Sequence, residues 1–147
     1  MLISQPVALK FTVTSTDYSV PLGMRVSLDG AVFYENAHVS SETPVQHQLS
    51  DDDGEHELVF ELFGKRPEHT KITDTGEIVS DAMLEINNIT LDEINIDQIF
   101  QSLAIYRHDF NGTQAPADDK FYGSIGCNGT VTLKFTTPVY LWLLENM

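Results

Sequence analysis

A period-two alternation of apolar and polar side chains occupies the middle of the chain, on both sides of one polar loop. Residues 57–63 read Glu-Leu-Val-Phe-Glu-Leu-Phe, and residues 81–91 alternate in the same way. Successive side chains of a β-strand point to opposite faces, so each segment is typical of a half-buried strand. The loop between them, residues 64–80, is rich in Gly, Thr, Asp, Glu and Lys and has no helical pattern. The sequence therefore predicts two strands that bracket a polar loop.

Turn signals divide the rest of the chain into further short strands. Asp29-Gly30 separates two alternating runs and predicts a hairpin with a type I′ turn, and Asn128-Gly129 predicts a second hairpin turn. The alternation slips by one residue at Asn87-Asn88, which predicts a β-bulge. Asp97 is expected to begin a helical turn that leads into a strand, and residues 138–144 are expected to form a closing strand that is apolar on both faces.

These elements predict an all-β fold for the chain. We expect residues 1–147 to form a single domain, an antiparallel, jelly-roll-like β-sandwich with at most one short helix. Trp142 lies between two leucines of the closing segment, so we expect its ring to pack in the core rather than to stack on a ligand.

The balance of charge restricts the partners. There are 22 acidic and 8 basic residues, which give a net charge of −14. A protein that binds nucleic acid through phosphates needs the opposite balance, and an anionic membrane surface would repel this one. The longest apolar run is also far shorter than the ~20 residues that span a bilayer. We therefore expect neither nucleic-acid binding nor membrane insertion, and an acidic surface suits a basic or neutral partner.

The cysteine content points to a compartment. Cys127 is the only cysteine, so no disulfide forms within the chain and no cysteine-based zinc site is available. Small β-domains that are secreted often rely on disulfides, which makes a reducing cytoplasm the expected place of folding.

One acidic stretch is a candidate metal site. Asp51, Asp53 and Glu55 could supply oxygen ligands to Ca²⁺, the only cofactor that the sequence suggests. The plainer interpretation of this stretch is a solvated turn.

Two loops and their borders supply the candidate residues for binding a ligand or a partner. The loops are residues 64–80 and 111–119, and the candidates are His69, Asp74, Asp118, Asp119, Tyr18 and Tyr122. The sequence contains neither the HExxH zinc motif nor a nucleophile elbow, so we expect no enzymatic activity.

Two stretches resemble small structural proteins of tailed bacteriophages, particularly those of large marine phages. The first runs from Gly64-Lys65 through Glu68-His69-Thr70-Lys71 and Asp74-Thr75-Gly76-Glu77-Ile78 to Ile89-Thr90-Leu91-Asp92. The second runs from Gly126-Cys127-Asn128-Gly129 to Pro138-Val139-Tyr140-Leu141-Trp142-Leu143-Leu144-Glu145. The resemblance implies a non-enzymatic virion component, either a capsid decoration or a tail or adhesion accessory. Such a protein is assembled in the host cytoplasm and contacts other virion proteins as a homo-oligomer or symmetric array.

The order of strand, loop and the strand end Ile89-Thr90-Leu91-Asp92 is also similar to calcium-dependent carbohydrate-binding modules of the xylan-binding type. That similarity implies the alternative function, binding of a host glycan through the same loops, with Ca²⁺ as a candidate ligand.

Overall fold

The computed structural model describes residues 6–50, 53–66, 68, 70–108 and 117–146, and these form two antiparallel sheets that face each other. The first sheet contains β1 (Pro6–Ser15), β4 (Thr43–Ser50), β8 (Leu84–Leu91), β9 (Ile94–Asn95) and β12 (Ser124–Ile125). The second contains β2 (Gly23–Leu28), β3 (Ala31–Asn36), β5 (Glu55–Phe63), β10 (Ile105–His108), β11 (Ala117–Lys120) and β13 (Gly129–Thr136). A separate hairpin contains β6 (Thr70–Ile72) and β7 (Ile78–Asp81), and the helices are α1 (Asp97–Leu103) and α2 (Val139–Asn146).

The order of strands confirms the predicted all-β sandwich. The first sheet runs β12-β8-β1-β4, with β9 beside β8, and the second runs β11-β10-β13-β5-β2-β3. The chain passes repeatedly from one sheet to the other, as it does in Greek-key and jelly-roll arrangements.

A continuous hydrophobic core lies between the two sheets. The alternation that predicted β5 buries Leu58, Phe60 and Leu62, and their neighbours on the strand face outward. In β8 the buried positions shift phase between Ile86 and Ile89. Asn88 has φ 54°, and the pairing of β8 with β1 is irregular at this point, so the predicted bulge is confirmed.

The Asp29-Gly30 hairpin is also confirmed. Asp29 and Gly30 have φ of 52° and 85°, and the strands on either side, β2 and β3, pair antiparallel. Positive φ at both central residues is the requirement of a type I′ turn. The backbone N–H of Asp29 donates to the carbonyl oxygen of Glu57 at 2.9 Å, which fixes the turn to the start of β5.

Helix α1 forms where a helical turn was expected, and β10 follows it. Its only buried side chain is Phe100, which stacks on Phe60 and Phe121 at centroid separations of 5.3 and 4.9 Å. One aromatic residue thereby attaches the helix to the core.

The closing segment was predicted wrongly. Residues 139–146 form helix α2 rather than a strand, so the described residues form two short helices. The helix buries Val139, Trp142 and Leu143, which stand at the i, i+3, i+4 spacing of one helical face. Trp142 does lie in the core, as expected.

The predicted Asn128-Gly129 hairpin is also wrong. The neighbouring strands β12 and β13 belong to different sheets and do not pair with each other. The Asn128 side chain instead bonds to the backbone of Lys65 in both directions, as donor and as acceptor.

Of the two described helices, neither is long and apolar enough to cross a membrane.

Candidate functional site

A cleft of about 510 Å³ lies at one end of the sandwich, beside the Asp29-Gly30 turn. Strands β5 and β13 form its walls, and helix α2 closes one side. Its lining combines carboxylates, a lysine, a histidine and two aromatic rings: Asp29, Glu55, His56, Glu57, Lys134, Phe135, Thr136 and Trp142. A concave site with a few convergent polar groups over aromatic side chains is the usual form of a ligand site.

His56 links three elements around this cleft. Its Nδ1 lies 2.7 Å from Oδ2 of Asp29, and its Nε2 lies 3.2 Å from Oγ1 of Thr137. The ring stacks on Phe135 at a centroid separation of 5.3 Å. The β2–β3 turn, strand β5 and the segment before α2 are therefore joined through one imidazole.

Asp29 is the charged end of this chain of hydrogen bonds. Its Oδ1 accepts the backbone N–H of Glu57 at 2.8 Å, while its Oδ2 faces His56. Burial acts to raise the pKa of the carboxyl, but the hydrogen bonds from His56 and Glu57 and the attraction of His56 outweigh it. The pKa of Asp29 is therefore lowered.

Thr137 occupies the position that a nucleophile would have in a hydrolase relay of carboxylate, imidazole and hydroxyl. Thr137 is only 3% exposed, and its Oγ1 accepts the backbone N–H of Gly54 at 3.0 Å. A hydroxyl that is buried and held in this way cannot reach a substrate carbonyl. The arrangement therefore suits a structural connection better than catalysis.

Of the proposed calcium ligands, the structure describes Asp53 and Glu55. Asp51 is outside the described residues, Asp53 is in a turn with φ 58°, and Glu55 lines the cleft. Within the described part of the chain, no group of three acidic, His or Cys side chains could hold a metal ion.

The loop of residues 64–80 contains an unexpected element, the hairpin of β6 and β7. Asp74 lies exposed in the turn at its tip, and Ile72 beside the tip is 61% exposed. His69, the other candidate here, is outside the described residues. The hairpin forms its own two-stranded sheet, so it is an arm on the sandwich rather than part of either main sheet.

A buried lysine fixes the base of this arm. The Nζ of Lys65 donates to Oδ1 of Asp81 at 2.5 Å, to the carbonyl oxygen of Gly126 at 2.9 Å and to the carbonyl oxygen of Ala82. Thr16 adds a second connection, because its hydroxyl donates to the carbonyl oxygen of Asp81 at 3.1 Å. The sequence does not reveal this role for Lys65, whose side chain is completely buried.

The two adjacent aspartates of the second loop lie on strand β11, where each faces a basic group of β10. Asp118 pairs with Arg107 at 3.2 Å, and Asp119 lies 2.6 Å from Nε2 of His108. Residues 109–116, the rest of that loop, are outside the described part.

The two candidate tyrosines differ in exposure. Tyr122 is 74% exposed, and Nζ of Lys120 lies 5.5 Å from its ring centroid. Tyr18 is half-buried and packs against the core. The structure thus places the described candidates, Tyr18, Asp74, Asp118, Asp119 and Tyr122, in separate regions rather than in one site.

Helix α2 presents an apolar surface that the sequence prediction missed. Tyr140, Leu141 and Leu144 are 50%, 59% and 73% exposed and lie on the face opposite the buried one. The sequence prediction of a strand missed this surface, because alternation would place the exposed Leu141 and the buried Leu143 on the same face of a strand. Large contiguous apolar patches on a protein surface are often sites of contact with other molecules.

Comparison of the chain with models of known families, with curated proteins and with solved structures found no match.

Proposed function

We propose that this protein is a non-enzymatic structural component of a tailed-phage particle, made in the host cytoplasm, that acts through contacts with other proteins of the particle. The observation that carries the proposal is the apolar face of α2, formed by Tyr140, Leu141 and Leu144. In the described part of the chain, other exposed apolar side chains such as Val32, Ile72 and Ile105 lie on separate strands, whereas α2 brings three of them together. An apolar face of this kind gains free energy when a partner covers it.

The two stretches that resemble phage structural proteins support this role, because they contact each other. The first contains Lys65 and the arm, and the second contains Gly126, Asn128 and helix α2. Lys65 donates to the carbonyl oxygen of Gly126, and the Asn128 amide bonds to the Lys65 backbone. The resemblance therefore falls on two stretches that contact each other at the base of the arm.

A role without catalysis agrees with the cleft. The hydroxyl beside His56, on Thr137, is buried, and the Asp29 carboxylate is engaged with His56 and with the backbone N–H of Glu57. A capsid decoration and a tail or adhesion accessory both need a rigid body with contact surfaces, which a sandwich with an arm and an apolar helix supplies.

The proposal is tested on virus particles. The epitope-tagged protein is supplied in trans during infection by the virus that encodes it, and purified particles are examined by immunogold labelling. We expect label at regular positions on the capsid or tail. Leu144→Glu should reduce incorporation strongly, whereas the control Glu145→Gln, an exposed neighbour, should incorporate normally. Label confined to the lysate, with none on particles, would exclude the proposal.

A second candidate function, binding of a glycan, is favoured by the lining of the cleft. Asp29, Glu55 and Glu57 offer carboxylate acceptors, and Lys134 offers donors at the rim. The rings of Phe135 and Trp142 are nearly covered, so a sugar would be held by hydrogen bonds at the rim rather than by stacking. A glycan array with and without Ca²⁺ tests this function: saturable binding that Glu57→Gln abolishes would support it, and binding unaffected by that variant would place the sugar elsewhere.

A further inference from the structure

Strand β4 is a long free edge of the first sheet. It has eight residues, and among the described strands it pairs only with β1. A free edge presents unpaired N–H and C=O groups to any chain that can form a strand beside it. Soluble proteins usually protect such an edge by charge, by short length or by a bulge.

The other sheet edges show these protections, whereas β4 has only Pro44, near its start. Strand β11 carries Asp118, Asp119 and Lys120, and β12 has only two residues. Strand β3 carries Glu35, which pairs with Arg25, and its pairing with β2 has an irregular register. Strand β4 reads Thr-Pro-Val-Gln-His-Gln-Leu-Ser and contains no acidic residue, lysine or arginine.

Hydrogen bonding shows which groups of β4 face the free edge. The carbonyl oxygen of Ala8 accepts the N–H of Asp92, so Ala8 directs its backbone groups away from β4. Its neighbours on β1, Val7 and Leu9, therefore face β4, where they pair with Leu49 and His47. The alternate residues of β4 direct their backbone groups outward: Pro44, Gln46, Gln48 and Ser50.

We propose that β4 pairs antiparallel with β4 of a second copy of this chain, about a two-fold axis at His47. This register places Gln46 opposite Gln48 of the second copy, so that outward N–H and C=O groups of both residues bond across the axis. The side-chain amides of the two glutamines lie on the same face and can bond to each other. The two five-stranded sheets then join into one continuous sheet.

Charge supports this arrangement, and proline limits it to the middle of the strand. Pro44 has no N–H and lies on the outward side, so it removes no bond to β1, and opposite Ser50 of the second copy it can only accept a hydrogen bond. Two chains of net charge −14 repel each other over most of their surfaces. Because β4 contains no acidic residue, pairing at this edge places no carboxylate of either strand within the ladder of hydrogen bonds. The self-complementary two-fold contact is the usual geometry of a homodimer.

The ends of the strand predict an unusual dependence on salt. Glu42 precedes β4 and Asp53 lies shortly after it, and antiparallel pairing brings the start of one strand near the end of the other. Like charges therefore approach each other at both ends of the ladder. Because salt screens this repulsion, dimerisation strengthens as ionic strength rises, the opposite of an interface held by ion pairs.

Light scattering and sedimentation on the full chain test the pairing. At about 1 M NaCl, where the Debye length is about 3 Å, we expect the mass to rise from 16.4 kDa towards twice that value with increasing concentration. Gln46→Pro, which removes an outward N–H, should weaken dimerisation by at least about tenfold. The matched control Gln46→Ala keeps that N–H and should dimerise nearly as well as the wild type.

Hydrogen exchange of the wild-type chain tests the pairing without relying on the correct folding of Gln46→Pro. The amides of Gln46 and Gln48 should exchange more slowly as protein concentration rises, while exposed amides of β11 should not change. A monomer at high salt, or equal dimerisation of Gln46→Pro and Gln46→Ala, would overturn the pairing. The inference rests on the proposed function. A protein that stays monomeric at high salt but still incorporates into particles would overturn the β4 pairing and leave the proposed function standing.

Discussion

The Nζ of Lys65 lies 2.5 Å from Oδ1 of Asp81, and the lysine side chain is completely buried whereas the aspartate is 24% exposed. Because a charge is costly to remove from water, a buried lysine persists only where acceptors surround it. Here they come from Asp81, Ala82 and Gly126, which belong to segments that meet beneath the arm. The pair is thus the point at which the arm is fixed to the sandwich.

Removal of the Lys65 ammonium should be strongly destabilising. Lys65→Met removes the ammonium group that donates to the Asp81 carboxylate and to two carbonyl oxygens, and loss of one partner of a buried ion pair costs about 3–5 kcal/mol. Because Asp81 is partly exposed, we expect a value near the lower end, measured by urea unfolding. The control Lys10→Met, on an exposed position of β1, should change the free energy of unfolding by less than about 0.5 kcal/mol. Equal effects of the two substitutions would contradict the assigned role.

The helical arrangement of α2 predicts which substitutions lower the free energy of unfolding and which do not. Trp142→Ala should cost about 3–5 kcal/mol and Leu143→Ala about 2–5 kcal/mol, because both side chains are buried. Leu141→Ala should cost less than about 0.5 kcal/mol, because its side chain is exposed. A strand would place Leu141 and Leu143 on the same face, so similar losses for these two leucines in chemical denaturation would contradict the helix.

Local rules were sufficient to predict much of the fold. The alternation of Leu58, Phe60 and Leu62 identified β5 because burial in a sheet has a period of two. Asp29-Gly30 identified the first hairpin because few residues adopt positive φ without strain. The closing helix escaped prediction because a run of six apolar residues has the same appearance in a buried strand and in a short helix.

The functional groups escaped prediction for a different reason, because their partners are distant in sequence. His56 meets Asp29 across 27 residues and Thr137 across 81, so the link appears only when β5, β13 and the turn are in register. Lys65 likewise meets Gly126 across 61 residues. The sequence did identify Asp118 and Asp119 as notable, but their basic partners Arg107 and His108 follow from the pairing of β10 with β11.

The type I′ turn predicts that different substitutions of Gly30 destabilise the fold to different degrees. No atom lies within 4 Å of a Cβ added there, so the effect comes from the backbone φ of 85° alone. Gly30→Val should destabilise by about 1–2 kcal/mol, because a left-handed conformation is costly for a residue with a Cβ. Gly30→Asn should cost less, since asparagine adopts this conformation more readily. Thermal unfolding measures both, and equal losses for valine and asparagine would show that the turn does not impose this φ.

The lowered pKa of Asp29 predicts how stability depends on pH. A carboxyl group whose pKa is lower in the folded chain contributes stability above its unfolded pKa of about 3.9. That contribution is lost as the pH falls through the folded-state value. Asp29→Asn keeps an acceptor for the N–H of Glu57 and tolerates the positive φ, so it removes mainly the charge that faces His56.

The difference in melting temperature between the wild type and Asp29→Asn should therefore be largest above about pH 5 and should shrink as the pH falls below about 4. Asp74→Asn, in the exposed turn of the arm, serves as the control and should show little difference across this range. Since the link joins the turn to Thr137, hydrogen exchange at Gly54 and Thr137 should also accelerate in Asp29→Asn at neutral pH. A melting difference that grows towards acid pH would mean that burial of the carboxyl, rather than its contact with His56, controls the site.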